Sequence, residues 1–158
     1  MVASELESAA DGASPVDRNK ALVRRFFEEV WNRGDDAAID AFLAADTVGN
    51  DPDFGTGREA FRAQCRRWRT GFPDIHFAVE DVVAEGDKVV SRWTLTGTHE
   101  GEFRGIAPTG RRVTVAGMSF DLLRDGQIVS GFDSWDALGL HRQLGTMPAP
   151  DADEPAAG

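Results

Sequence analysis

The spacing of the apolar residues changes once along this chain, at Pro73, and that change sets the class of fold. Before it, Leu22, Val23, Phe26, Phe27, Val30 and Trp31 recur at intervals of one and three, which draws a single stripe down a helix. Asp17 is placed to cap that helix, and Asn32-Arg33-Gly34 ends it, with Gly34 suited to a left-handed terminal position. A short second helix turns Ile39, Phe42 and Leu43 inward. A third carries Phe61, Cys65, Trp68 and Phe72, with Arg58, Arg62, Arg66, Arg67 and Arg69 expected on a solvated outer face. After Pro73 the period is two. Ile75, Phe77 and Val79 alternate with other residues, Lys88 to His99 reads as a long strand, and Arg112–Leu123 and Gln127–Trp135 form a hairpin through Arg124-Asp125-Gly126. A last helix, Ala137 to Leu144, covers one end.

Three helices followed by a long antiparallel meander imply an α+β domain, its helices packed on one face of a strongly curved sheet. Such a sheet encloses a pocket where the helices do not reach. The 158 residues suit one domain, and ten Phe with four Trp can fill its interior. Residues 1–16 and 146–158, rich in small, acidic and Pro residues, bury little and read as disordered tails, which leaves 17–145 as the domain. A net charge of −10 disfavours nucleic acid and anionic membrane as partners. No apolar run is long enough to span a bilayer and no secretory signal is present, so a cytoplasmic location is expected. Cys65, the single cysteine, sits at a core-like helical position and reads as a buried apolar residue, not a reactive thiol.

The histidines, His76, His99 and His141, lack metal-ligand spacing, and neither a nucleophile elbow nor a glycine-rich phosphate loop occurs. Neither metal nor cofactor is therefore expected. What remains is acid–base chemistry or plain ligand binding. Alternation in the last strand sets Val129, Gly131, Asp133 and Trp135 on one face, and across the hairpin Gly117, Ser119 and Asp121 share it. Both faces carry aromatic residues, so the pattern leaves two readings of Asp133. Facing in, it is a carboxylate beside Trp135 in an apolar cavity, its pKa raised by desolvation toward that of a useful acid or base. Facing out, it is a surface or capping residue, although Asp136 stands in the better capping position.

Several segments resemble the SnoaL-like polyketide cyclases: Gly57-Arg58-Glu59-Ala60-Phe61, Phe72-Pro73-Asp74, Gly97-Thr98-His99-Glu100-Gly101-Glu102-Phe103, Gly105-Ile106-Ala107-Pro108-Thr109-Gly110-Arg111-Arg112 and Leu138-Gly139-Leu140-His141-Arg142-Gln143-Leu144-Gly145. They run in the family's order from about Asn19 to Gly145. The resemblance implies a cone-shaped α+β barrel of the nuclear transport factor two-like type, assembled as a homodimer or higher homo-oligomer. It implies cofactor-free ring closure of polyketide antibiotic precursors by intramolecular aldol reaction, with the acid–base residue aligned with Asp133 and therefore facing inward. Candidate polar contacts to a hydrophobic small molecule are His99, Ser119, Asn50 and Arg92, with Trp93 and Trp135 as walls. The chain departs from the pattern at Gly131-Phe132, where many relatives have His-Trp, at Ser119, where the cyclases carry a His, and at Gly49-Asn50, where Asn-His is usual. The expected function is a cyclase or isomerase of an enolisable ketone. The alternatives are a hydroxylase or epoxide hydrolase on the same scaffold, or a non-catalytic small-molecule-binding domain.

Overall fold

A computed structural model describes residues 12–52 and 54–147. Most of both expected tails, residues 1–11 and 148–158, lies outside the described residues. Helix α1, Pro15–Phe26, begins two residues earlier than the expected domain boundary. Its cap is Ser14, not Asp17: the Ser14 hydroxyl accepts the Asp17 N–H at 3.1 Å and donates to the Asp17 carboxylate at 2.7 Å. The helix widens into a π-helical turn, Phe27–Asn32, and Gly34 follows it at φ +70°. Phe26, Phe27, Val30 and Trp31 are all buried, so the stripe meets the core as expected.

Helix α2, Ile39–Phe42, is one turn long and runs straight into a strand the alternation did not announce, β1, Leu43–Gly49. Leu-Ala-Ala-Asp-Thr-Val-Gly has neither a two-residue apolar period nor strong strand propensity, so its pairing is a tertiary effect. Helix α3, Arg58–Gly71, buries Cys65 and Trp68, and its arginines do more than decorate a solvated face. Arg58 donates to the Leu43 carbonyl at 2.7 Å, and Arg69 to the carbonyls of Val30 and Trp31. Arg62, with 12% of its side chain exposed, bonds the Asp36 carbonyl and the Asp40 carboxylate. These guanidinium groups tie α3 to the end of α1 and to the segment carrying α2.

Strands β2 (His76–Glu85), β3 (Lys88–Thr98), β4 (Arg112–Arg124) and β5 (Gln127–Trp135) form the antiparallel meander, and α4, Ala137–Leu144, closes it. β1 adds to β5 in parallel, giving the order β1-β5-β4-β3-β2, so the sheet is mixed and stays open at β1 and β2. On β4 the inner face, Val113, Val115, Gly117, Ser119, Asp121 and Leu123, is buried while Thr114, Ala116, Met118 and Phe120 face out. Asp136 caps α4 by accepting the Gly139 N–H at 2.7 Å. Gln143 bonds both the N–H and the carbonyl of Thr114 at 2.8 Å, which seats α4 on β4. Among the described residues no helix is long and apolar enough to cross a membrane.

The loop after β3 is pinned to the end of α3, since the N–H groups of Glu100 and Gly101 both donate to the Gly71 carbonyl. Gly101 lies so close that a Cβ there would overlap the Thr70 carbonyl oxygen. Gly101→Ala is therefore expected to destabilise the domain by about 1–3 kcal/mol, as overpacking does, read from the urea midpoint; an unchanged midpoint would show that the loop yields.

Candidate active site

Between α1, α3 and the inner face of the sheet lies a cavity of about 880 Å³, counted with its open mouth. One side is aromatic. Phe77 packs against Phe27, Trp31 and Trp93 at ring separations of 5.4, 5.0 and 5.0 Å, and Trp68 meets Trp135 edge-on at 5.7 Å. The polar side is built by β4 and β5, where Ser119 pairs with Asp133 and Asp121 with Gly131. Thr47 from β1, Asp51 from the following loop and Gln64 from α3 complete the polar lining.

Asp133 faces the cavity. The residue as a whole is exposed, because it stands where the cavity opens. Burial raises its pKa, the Asp51 carboxylate adds to the rise, and a hydrogen bond from Ser119 to the charged form opposes it. Ser119 is itself oriented, its oxygen accepting the Trp93 indole N–H at 2.9 Å. Behind Asp133, the Asn50 amide bonds its backbone on both sides: the Asp133 N–H donates to Oδ1 at 2.7 Å, and Nδ2 donates to the Asp133 carbonyl at 2.9 Å. Asp121 is only 6% exposed. Burial pushes its carboxyl well above the usual range, and the neighbouring Asp133 charge pushes the same way. At the mouth, Arg104 lies over the Trp68, Phe103 and Trp135 rings and pairs with Asp51 at 3.7 Å.

Of the residues singled out from the sequence, Asp133, Ser119, Trp93 and Trp135 come together around the cavity. The other three lie elsewhere. Arg92 points to the outer face of the sheet, where it pairs with Glu80 and Asp81, because its neighbour Trp93 takes the inward position. His99 is fully buried away from the cavity, stacked on Phe72 at 5.3 Å, with Nδ1 accepting the Thr109 N–H at 3.2 Å. Asn50 grips the Asp133 backbone through both its amide oxygen and its amide nitrogen and is not among the residues that line the cavity. Asp51, Thr47, Gln64 and Arg104 were not singled out. Asp51 and Arg104 sit on loops without a period, and β1, which supplies Thr47, lacks a strand signature. Asp121 was legible as a face-mate of Asp133, and the structure adds its burial.

Comparison with known proteins agrees with the resemblance. The family model for SnoaL-like polyketide cyclase matches residues 21–144. Aklanonic acid methyl ester cyclase DauD of Streptomyces sp. (strain C5) is 33% identical over 143 residues, covering 85% of this chain and 86% of that protein. TsrD of Streptomyces laurentii superposes with a TM-score of 0.78 at 34% identity, over 85% of this chain and 100% of its own. AclR of Streptomyces galilaeus, assigned as a hydroxylase, gives 0.76 at 31% identity over 86% and 91%.

The burial of Asp121 has a consequence for stability. A native carboxyl that keeps its proton where the unfolded chain, with a pKa of about 3.9, has lost it contributes fully at low pH. That contribution is lost as the pH rises toward the native pKa, at roughly 1.4 kcal/mol per pH unit. Asp121→Asn should therefore match the parent near pH 4 and exceed it increasingly toward pH 7, in urea unfolding at stepped pH. A variant less stable than the parent at pH 7 would mean that the carboxyl is held in its charged form.

Proposed function

The chain belongs to the SnoaL-like polyketide cyclase family, and from that premise we propose that it is an acid–base enzyme acting on a hydrophobic, enolisable ketone. The observation that carries this reading is the Asp133 side chain at the cavity mouth, with desolvation raising its pKa and Asn50 fixing its backbone. Asp133 takes a proton from a carbon beside a carbonyl, and the electron pair spreads into that carbonyl and the conjugated rings attached to it. The carbanion attacks a second carbonyl in the same molecule, forming the new carbon–carbon bond. The alkoxide left on the attacked carbonyl recovers the proton from Asp133. The residues suffice for these steps without metal or cofactor. The aromatic side of the cavity suits flat, fused rings.

Aklanonic acid methyl ester, the compound named for the DauD relative, is the first substrate to test. The expected product is an isomer, of unchanged mass. Asp133→Asn should lower turnover by about a hundred- to ten-thousand-fold, equivalent to roughly 3–5 kcal/mol of barrier, with little change in ligand affinity. Solvent deuterium should enter the carbon beside the carbonyl only when Asp133 is present. Binding without turnover or exchange, across a panel of polycyclic β-keto esters, would leave a ligand-binding domain instead. The likeness to AclR supports a second reading, hydroxylation of the same substrate class, which a mass gain of one oxygen would distinguish.

The outer face of the sheet supports a homodimer. Phe120 and Phe132 pair across β4 and β5 and are 44% and 59% exposed, with Met118 beside them. Phe120→Glu with Phe132→Glu should convert a dimer to a monomer in sedimentation, whereas a monomeric parent would reject the pairing.

A further inference from the structure

Asp121 does not have the surroundings of a structural carboxylate. Buried carboxylates in proteins are held by hydrogen bonds or cations, because an unpaired charge costs several kcal/mol to bury. Among the described residues, no hydrogen bond or ion pair reaches the Asp121 side chain, and no Lys, Arg or His lines the cavity. Nor are its oxygens sealed off. Among the described residues, the buried polar side-chain atoms without a partner are Ser91 Oγ and His99 Nε2, while Asp121 lines the cavity. Gly131, directly across the sheet, keeps the space beside it clear: a Cβ there would stand 3.1 Å from Asp121 Oδ1.

The charged groups that bear on Asp121 are carboxylates. Asp133 is its diagonal neighbour on β5, and beyond it lies Asp51, whose charge Arg104 balances. Diagonal positions across an antiparallel pair stand about 7–8 Å apart, and both side chains line the same cavity, so one ligand can meet the two carboxyls together. Their environments differ in one respect. Ser119 supplies Asp133 with a bond that favours its charged form, and no residue does so for Asp121. We propose that Asp121, carrying its proton, is a catalytic residue that donates a hydrogen bond to the carbonyl oxygen of the substrate whose neighbouring carbon gives its proton to Asp133. As that C–H bond breaks, its electron pair becomes the new C=C bond and the carbonyl π pair moves onto oxygen. The Asp121 O–H bond stays intact and its dipole meets the developing charge. A carboxylic acid kept neutral so that it can donate is known chemistry in an apolar site.

This inference rests on Asp133 as the base, so the test reads the two residues separately. Infrared spectra with isotope-labelled aspartate should show a protonated carboxyl band at pH 7 that Asp121→Asn removes and Asp133→Asn leaves. β-Naphthol then stands in for the enolate, in an Asp133→Asn background that mimics the protonated base. Adding Asp121→Leu should weaken β-naphthol binding by about five- to tenfold, the loss of one hydrogen bond to a neutral phenol oxygen. Asp121→Asn, whose amide still donates, should weaken it by less than about threefold on the same scale. Turnover should split the same way, with the Leu variant down about a hundred- to a thousand-fold in kcat. Absence of the acid band, or equal naphthol affinities in the Leu and Asn variants, overturns the role of Asp121 and leaves Asp133 untouched. Retained turnover in Asp133→Asn, with the band and the affinity split intact, overturns the base instead.

Discussion

Register between β4 and β5 is the constraint on which the site depends. The turn that joins them is tight, with Asp125 and Gly126 both at positive φ, 51° and 74°, and it fixes which residues face each other. Gly117 meets Trp135, Ser119 meets Asp133 and Asp121 meets Gly131. A slip of one residue would carry Asp133 and Trp135 to the outer face and bring Phe132 into the cavity. The irregularity that the pairing needs, between Leu122 and Leu123, is confined to the turn end, so the stretch carrying the carboxyls stays regular.

Within that register, size is matched across strands. The Trp93 indole lies over Gly117, where a Cβ would collide with the ring, and so reaches the Ser119 hydroxyl. Gly131 leaves room for the Asp121 carboxyl in the same way. The cavity's polar wall is therefore made by two large–small pairs as much as by the polar residues themselves. Asn50 adds the third fixed point. β1 pairs with β5 at Leu43, Val48 and Gly49, and the next residue clamps the Asp133 backbone, so the loop after β1 is tied to β5.

How much of this could be read from the sequence depended on whether the signal was periodic. The apolar stripe of the first helix, α3, the β4–β5 hairpin with β5 running from Gln127 to Trp135, and α4 with its Asp136 cap all carry a period or a terminal signal and were legible, whereas the π turn and the Ser14 cap were not. β1 was not, because a parallel edge strand of Ala, Asp, Thr and Gly draws its pairing from neighbours distant in sequence. The same limit applies to side chains. Alternation put Asp133, Ser119, Asp121 and Trp135 on one face, but which face was inner turned on the core contributed by the helices. Trp93 and Arg92 are adjacent, so one of them had to face out; Glu80 and Asp81 on β2 took the arginine. His99 and Asn50 were candidate polar contacts to a small molecule. Their hydrogen bonds go to Thr109 and to the Asp133 backbone, partners that only the fold brings near.

Desolvation acts on Cys65 and Asp121 in the core and on Asp133 at the cavity mouth, and the results differ with starting point and access. Cys65, 3% exposed and away from the cavity, has its thiol pushed up to about 12, further from any working pH, which leaves it inert. The same desolvation moves Asp133 and Asp121 upward from a low starting value, toward neutrality. A carboxyl is thus the group that an apolar cavity makes more useful as it makes it less stable. Keeping two of them on one wall costs stability that a Leu at either position would not, so the fold alone does not call for them. Ser119 then separates them, since its hydroxyl beside Asp133 favours charge at one carboxyl and leaves the other without such support.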